Sequence, residues 1–405
     1  MTYAAYGAGE KPKLYGWDRD LADPDLWLPY GDSGEIWKLR DPIPDCGTLV
    51  FGHGSLHSRK LIPSYMGGRF VCRDDESVPF VPEEQMTRDL DMVCFCTERL
   101  TEGPFPIPLI DEDSRGVLLL KCRSGNPGAV FSGIEALARR PMFRLGQANG
   151  VRIDGLCIKY VGGHAIAGYG PDVRGLTVTN CEIGWIGGTV QDYCGTDPNY
   201  PQGKRGQVTR YGNGVELYGG CTDYTVSGCL IYQVYDAGIT HQNTTDGKPC
   251  FMRNITYSGN LIEYCTYGIE YFLNRTRPDR SSRMENCLIT GNIIRMAGFG
   301  WGKQRHNTNT PALIKGWEFD NAASGFCITN NILDRSSVRL IHLAARERSS
   351  LPFMSGNVYI QPLGGTLGKY GAKEEADPVD IPFDKEVGTA IRDILADEKA
   401  DVQIL

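Results

Sequence analysis

Between residues 150 and 360, apolar and polar positions alternate on either side of a sharp bend, and the pattern recurs seven times. Its reference column reads Leu156, Cys181, Cys229, Asn260, Asn292, Asn331 and Asn357, and the residue before each is Gly or Asn. These are the two residue types that accept a left-handed turn at least cost. Three positions earlier stand Ile153, Val178, Val226, Tyr257, Ile289, Ile328 and Met354; two positions later stand Ile158, Ile183, Ile231, Ile262, Ile294, Leu333 and Tyr359. Apolar columns at these offsets predict two short strands meeting at a corner, once per repeat, with those columns stacked inside. The expected architecture is all-β, a right-handed parallel β-helix with long loop insertions.

The repeats are spaced by 25, 48, 31, 32, 39 and 26 residues, so a coil of about 25 residues carries insertions that leave on one flank. The run of asparagines in the reference column predicts a structural ladder inside the bends. Residues 2–16 read as strand, turn and strand. The region 1–149 lacks the repeat, carries Trp17, Trp27, Trp37 and an acidic turn at 111–113, and reads as an elaborated β region continuous with the solenoid, its strands pairing beside or across it. The coils occupy 150–360. In 361–405, apolar spacing at Val387, Ile391, Ile394 and Leu395 predicts a helix that caps the last coil, or that makes a dimer contact and so a homo-oligomer.

The 405-residue chain carries a formal charge of −7, which argues against nucleic acid as the main partner, and no apolar run approaches a membrane span. Cysteines such as Cys157, Cys265, Cys287 and Cys327 lack zinc-site spacing and read as small buried apolar groups in a reduced cytoplasm. No signal peptide is visible. The expectation is a cytoplasmic chain as it stands, or a secreted or periplasmic one if the N-terminus is truncated.

Candidate chemistry lies where polar residues interrupt the strand after each bend. Gly214-Val215-Glu216, Gly238-Ile239-Thr240 and Gly268-Ile269-Glu270 fall in register, with His164-Ala165-Ile166 before them and Gly300-Trp301 after. Adjacent coils lie about 4.8 Å apart, which puts Glu216 and Glu270 on one face roughly 9–10 Å apart. Asp236, His241 and Gln242 come from the coil between. A stripe of carboxylates and a histidine is costly for structure alone. Trp185, Tyr235, Tyr271, Phe272 and Trp301 offer faces for sugar rings, with packing as the competing reading, and Arg210, Lys303, Arg305 and His306 stand in adjoining loops.

The segments TYAAYGAGEKP, SGNPG, RYGNGVELYGG, VYDAGITHQ and GIEYF resemble bacterial right-handed parallel β-helix proteins of polysaccharide breakdown: β-helical glycoside hydrolases and, more distantly, polysaccharide lyases. The resemblance implies an enzyme that hydrolyses glycosidic bonds of a poly- or oligosaccharide with paired carboxylates and no cofactor. It implies Asp236 as nucleophile or base, Glu270 as general acid, Glu216 as second candidate, and His241 as a tuning partner. A lyase or epimerase acting on uronates would instead use a base among Lys204, Arg205, Arg210, Lys303 and Arg305, with Ca²⁺ against the substrate carboxylate. A non-catalytic glycan-binding solenoid would need the aromatics and not the carboxylates.

Overall fold

The structure, a computed structural model, describes residues 1–66, 69–94, 116–146, 148–193, 208–243, 248–273, 281–305, 310–317 and 322–405. The acidic turn at 111–113 lies outside them. The chain is an all-β solenoid built on two large parallel sheets, of 17 and nine strands. Each coil passes through three faces. A site face comprises Phe143–Gly146, Ile166–Arg174, the first half of Val215–Ser227, Ala237–Asn243, Tyr267–Leu273, Ala312–Gly316, Arg339–Ala345 and Gly365–Ala372. An approach face leads into the bend, through strands such as Thr177–Thr179, Phe251–Ser258 and Arg283–Thr290, and an exit face leaves it through strands such as Glu182–Ile186, Leu261–Glu263 and Ile293–Ala297.

The bend forms because its corner residue is left-handed in every repeat: Gly155, Asn180, Gly228, Gly259, Gly291, Asn330 and Gly356 all have φ between 54° and 69°. On the exit face Leu14, Ile158, Ile183, Ile231, Ile262, Ile294, Leu333, Tyr359 and Val402 are ladder partners in turn. On the approach face Ile153, Val178, Val226, Tyr257, Ile289, Ile328 and Met354 form the matching stack. Both stacks lie in the same buried core. Cys157, Cys265 and Cys287 are buried and Cys327 half-buried, all as free thiols.

The asparagine column is a continuous hydrogen-bonded ladder. Asn260 donates to Asn292 Oδ1 at 2.9 Å, Asn292 to Asn331 at 2.9 Å, and Asn331 to Asn357 at 3.1 Å, while the Cys229 N–H donates to Asn260. It ends on Asp397, a fully buried carboxylate that accepts from Gly356 N, Asn357 N, Asn357 Nδ2 and Tyr359 Oη. Asp397 follows the terminal helix Val387–Ile394, which buries Val387 and Ile391 in the solenoid core while Ile394 is exposed.

Four expectations need correction. The solenoid does not stop at 360: Gly365–Ala372 and Asp401–Ile404 continue the site and exit faces. Nor does it start at 150, because Thr2–Ala4 and Lys13–Tyr15 pair with Arg152–Asp154 and Cys157–Val161 as its first coil. The strands between Tyr15 and Phe143 do not pair with the coils. They build a five-stranded and a three-stranded sheet around a separate core of Leu21, Trp27, Leu39, Leu49, Phe51, Leu118 and Ile134, an excursion that leaves after Tyr15 and returns at Phe143. Insertions leave at both edges of the site face rather than on one flank. Segments 187–214 and 298–311 enter it, and 244–250, 274–282 and 317–322 leave it. No helix among the described residues is long and apolar enough to cross a membrane.

Candidate functional site

Strand alternation decides which polar residues reach the outer surface of the site face. Val215, Ile239, Ile269 and Ile314 are ladder partners packed in the core. One residue on, the column Ala167, Glu216, Thr240, Glu270, Lys315, His342 and Lys369 therefore points outward. The expected alignment of Glu216, Thr240 and Glu270 matches this register. Its two flanks do not. Ala165-Ile166-Ala167 is the true predecessor, one residue later than His164-Ala165-Ile166, and Leu313-Ile314-Lys315 is the true successor of Glu270. Gly300-Trp301 lies instead at a corner, where Trp301–Gln304 form a 3-10 turn.

Glu216 and Glu270 face outward yet are only 2 % and 4 % exposed, because side chains cover them. Glu216 accepts from Asn213 Nδ2 in a short hydrogen bond and from Gln242 Nε2 at 3.2 Å. Its Oε2 lies 3.0 Å from His164 Nδ1. That nitrogen already accepts the Asn213 N–H at 3.1 Å, so it carries no proton of its own. Burial pushes His164 down to about 4, and burial together with the charge of Asp236 pushes Glu216 up to about 7. Both shifts favour the neutral forms, so the contact is not held together as an ion pair. Glu270 is pushed up further, to about 8, by burial and then by Asp236; a short hydrogen bond from Trp317 Nε1 and the charges of Arg305 and Lys315 oppose the shift.

Asp236 stands at the corner before Ala237–Asn243, held there by its own backbone: its carbonyl accepts from Thr266 N and Tyr267 N at 3.1 Å, and its N–H donates to Gly212 O. Its carboxylate forms a close ion pair with Arg305, whose guanidinium lies over the rings of Tyr267 and Tyr235. Between Glu216 and Glu270 sits Thr240, fully buried, its hydroxyl without a partner among the described residues. The result is one arginine-paired carboxyl group and two buried ones whose burial favours the protonated form. That is the separation of roles acid–base chemistry requires.

Several candidates fall elsewhere. His241 and Tyr271 follow Thr240 and Glu270, so alternation turns them inward. They stack at 5.8 Å in the core, where His241 Nδ1 meets Tyr257 Oη at 2.9 Å. His241 cannot tune the carboxylates by contact. Trp185, Tyr235 and Trp301 pack together beneath the N-terminal excursion and offer no sugar face. Arg210 is buried with them, donating to Gly188 O and Gly47 O and stacking on Tyr235. Lys303 is exposed, and its charge adds to the burial that depresses His57. His306, Lys204 and Arg205 lie outside the described residues, as does the whole stretch 194–207. Of the candidates, the structure brings together Asp236, Glu270, Glu216, Gln242, His164 and Arg305.

Sequence reasoning missed Asn213, Thr240 as a site member, Lys315, Trp317, His342 and the tyrosines Tyr169 and Tyr218, which adjoin Gln242 in the next outward column. Carrying the Gly-Ile-Glu alignment one coil further, to Leu313-Ile314-Lys315, would have found Lys315 and, two residues later, Trp317. Among the described residues no group of three or more His, Cys, Asp or Glu side chains is arranged to hold a metal ion.

His241 has a consequence for stability. Burial pushes it down to about 3 from an ordinary 6.5, so the folded chain holds it neutral while the unfolded chain protonates it. The stability is present above about pH 6.5 and lost as pH falls toward 3, with a full extent on the order of 5 kcal/mol. His241→Gln should flatten the decline of melting temperature between pH 6 and 4. An unchanged slope would remove His241 as its source.

No family model and no curated protein matches the chain. Among solved structures it is similar to one titled "The complex structure of XylC with xylose", at 11% identity and a TM-score of 0.37, over 100% of this chain and 73% of that one. Likeness at this level carries no argument about fold family, substrate or activity.

Proposed function

We propose that the chain is a glycoside hydrolase acting on a poly- or oligosaccharide, its solenoid wound as a right-handed parallel β-helix in keeping with the handedness of parallel crossovers. Glu270 is the general acid that protonates the leaving oxygen, and Asp236 is the nucleophile or base. The observation that carries this reading is the contrast between Glu270, pushed up to about 8, and the Arg305-paired Asp236 one coil away. Ala237 pairs with Tyr267, so Asp236 stands level with Thr266, at the start of the strand that carries Glu270 four residues on; retaining enzymes hold their two carboxyls roughly 5–5.5 Å apart and inverting ones roughly 6.5–9.5 Å, so the product's anomeric configuration reports which separation the pair adopts on substrate. Glu216, two coils from Glu270, orients substrate through its contact with Gln242. Tyr169 and Tyr218, half-buried on the neighbouring column, are the aromatic surface that replaces Trp185 and Trp301.

Lys315 and His342 favour a second reading. Lys315 Nζ lies 2.7 Å from His342 Nδ1, to which Arg339 also comes within 3.2 Å, on the two coils that follow Glu270. A lyase acting on uronates would place its base and its carboxylate-binding cations there, with Ca²⁺ as an aid. A panel of aryl glycosides and polysaccharides separates the two. Hydrolysis should release saturated sugars, with the anomeric configuration of the first product by proton NMR telling retention from inversion, whereas products absorbing as unsaturated uronides would overturn the hydrolase reading.

A further inference from the structure

The excursion of residues 16–142 does more than sit beside the solenoid, because its contacts converge on the corner loops that carry the site. Gly47 lies so close to Gly187 that a Cβ would come 2.1 Å from the Gly187 carbonyl oxygen. Asp45, fully buried and ion-paired with Lys60, also accepts the Val190 N–H at 2.5 Å. A third contact reaches the turn Trp301–Gln304. Gln304 Oε1 accepts from Lys60 N at 3.0 Å, and Gln304 Nε2 donates to Ser58 O at 2.8 Å and lies 3.3 Å from His57 Nδ1.

The other end of that turn is tied to the solenoid, where Trp301 Nε1 donates to Gln233 O at 2.8 Å and Trp301 N to Gln233 Oε1 at 2.9 Å. The platform beneath Gln304 is itself ordered, since the Ser58 hydroxyl receives the Leu49 N–H and lies 2.9 Å from the Thr48 hydroxyl. The next residue is Arg305, the cation paired with Asp236. A turn held at Trp301 and at Gln304 fixes where the Arg305 backbone starts, so the guanidinium needs to lose less freedom to meet Asp236.

We propose that Gln304 is a positioning residue, through which the N-terminal excursion fixes Arg305, and with it Asp236, relative to Glu270. This rests on the reading of Asp236 and Glu270 as the reacting pair. In Gln304→Ala, kcat on a responsive aryl glycoside should fall by about 10- to 100-fold with KM little changed. Arg305 holds Glu270 down, against Asp236 and together with Lys315 and Trp317, so a loosened Arg305 should also move the alkaline limb of kcat to higher pH. Gln304→Glu, which keeps the acceptor for Lys60 N, should recover part of the loss and serves if the alanine variant does not fold. Gln304→Ala/Arg305→Ala should be no worse than Arg305→Ala alone. Multiplying losses in the double variant, or a folded Gln304→Ala with the parent kcat and limb, would overturn the proposal. Titration of ¹³C-labelled Glu270, assigned with Glu270→Gln, separates this from the proposed function because it needs no turnover. An upward shift in Gln304→Ala supports positioning even if no glycoside is hydrolysed, and an unchanged midpoint rejects it.

Discussion

Asp236→Asn and Glu270→Gln should each lower glycoside hydrolysis by about 10²–10⁴-fold, the range expected when a proton-transfer group is replaced by an amide that cannot exchange its proton. The two variants should differ in stability. Glu270, pushed up to about 8, is already protonated at pH 7, so a neutral amide of the same shape disturbs little. Asp236 faces the half-buried Arg305, and neutralising it leaves that cation without its counter-charge, a change that costs about 3–5 kcal/mol at fully buried pairs. The measurements are kcat/KM with circular dichroism melts at pH 7. Activity of the parent enzyme should fall above about pH 8 as Glu270 loses its proton, whereas its contribution to stability, full below pH 4.5, should decline as pH rises from 4.5 to about 8 and level off beyond, because in that window the unfolded carboxyl is ionised and the folded one is not. Glu216→Gln should cost less activity if Glu216 only orients substrate. Full activity in both the Asp236 and Glu270 variants would discard the assignment and move the search to Lys315 and His342.

Ile262→Asp should prevent folding. Ile262 is fully buried between Ile231 and Ile294 in the exit-face stack, and its Cγ2 lies 2.7 Å from the position of a Cβ on Gly238. An aspartate there has no cation within the core and no water, and its burial costs several kcal/mol beyond the lost packing, against a total stability of about 5–15 kcal/mol. Since each coil contacts mainly its neighbours, the defect also splits the stack into two halves with exposed ends. Soluble yield and a cooperative melt are the readouts. A variant that melts within a few degrees of the parent would show that Ile262 does not point inward, and the register of the whole exit face would need revision.

The insertion at 186–213, rich in Gly, Pro and Asp, reads in the sequence as a surface loop whose removal leaves the solenoid folded and abolishes glycan binding; the structure ties its two ends to the N-terminal excursion. Thr189 and Arg210 are buried, Val190 is bound to Asp45, and Arg210 to Gly47. Deletion of the whole segment should therefore undock the N-terminal excursion as well, and excision of 194–207 alone is the cleaner test of a role in binding.

The repeat was legible because its causes are local. A left-handed Gly or Asn at each corner, apolar residues at fixed offsets and an asparagine in the reference column are one-dimensional signals, and the stacks from Ile158 to Leu333 and the Asn260–Asn357 ladder follow from them directly. The pairing of Glu216 with Glu270 across Thr240 was legible for the same reason, since equal Gly-Ile-polar phrases fall into register. What the sequence could not decide was anything set by contacts between segments distant along the chain. Alternation put His241 inside although its neighbour Thr240 is in the site, and the fit of residues 16–142 against the corner loops turned Trp185, Trp301 and Arg210 from sugar contacts into packing. The protonation of Glu216 and Glu270 depends on side chains that cover them from other coils, and the ion pair of Asp236 on a turn 69 residues away. Burial and charge at one site are sums over neighbours brought together only by folding, and no spacing along the chain encodes them.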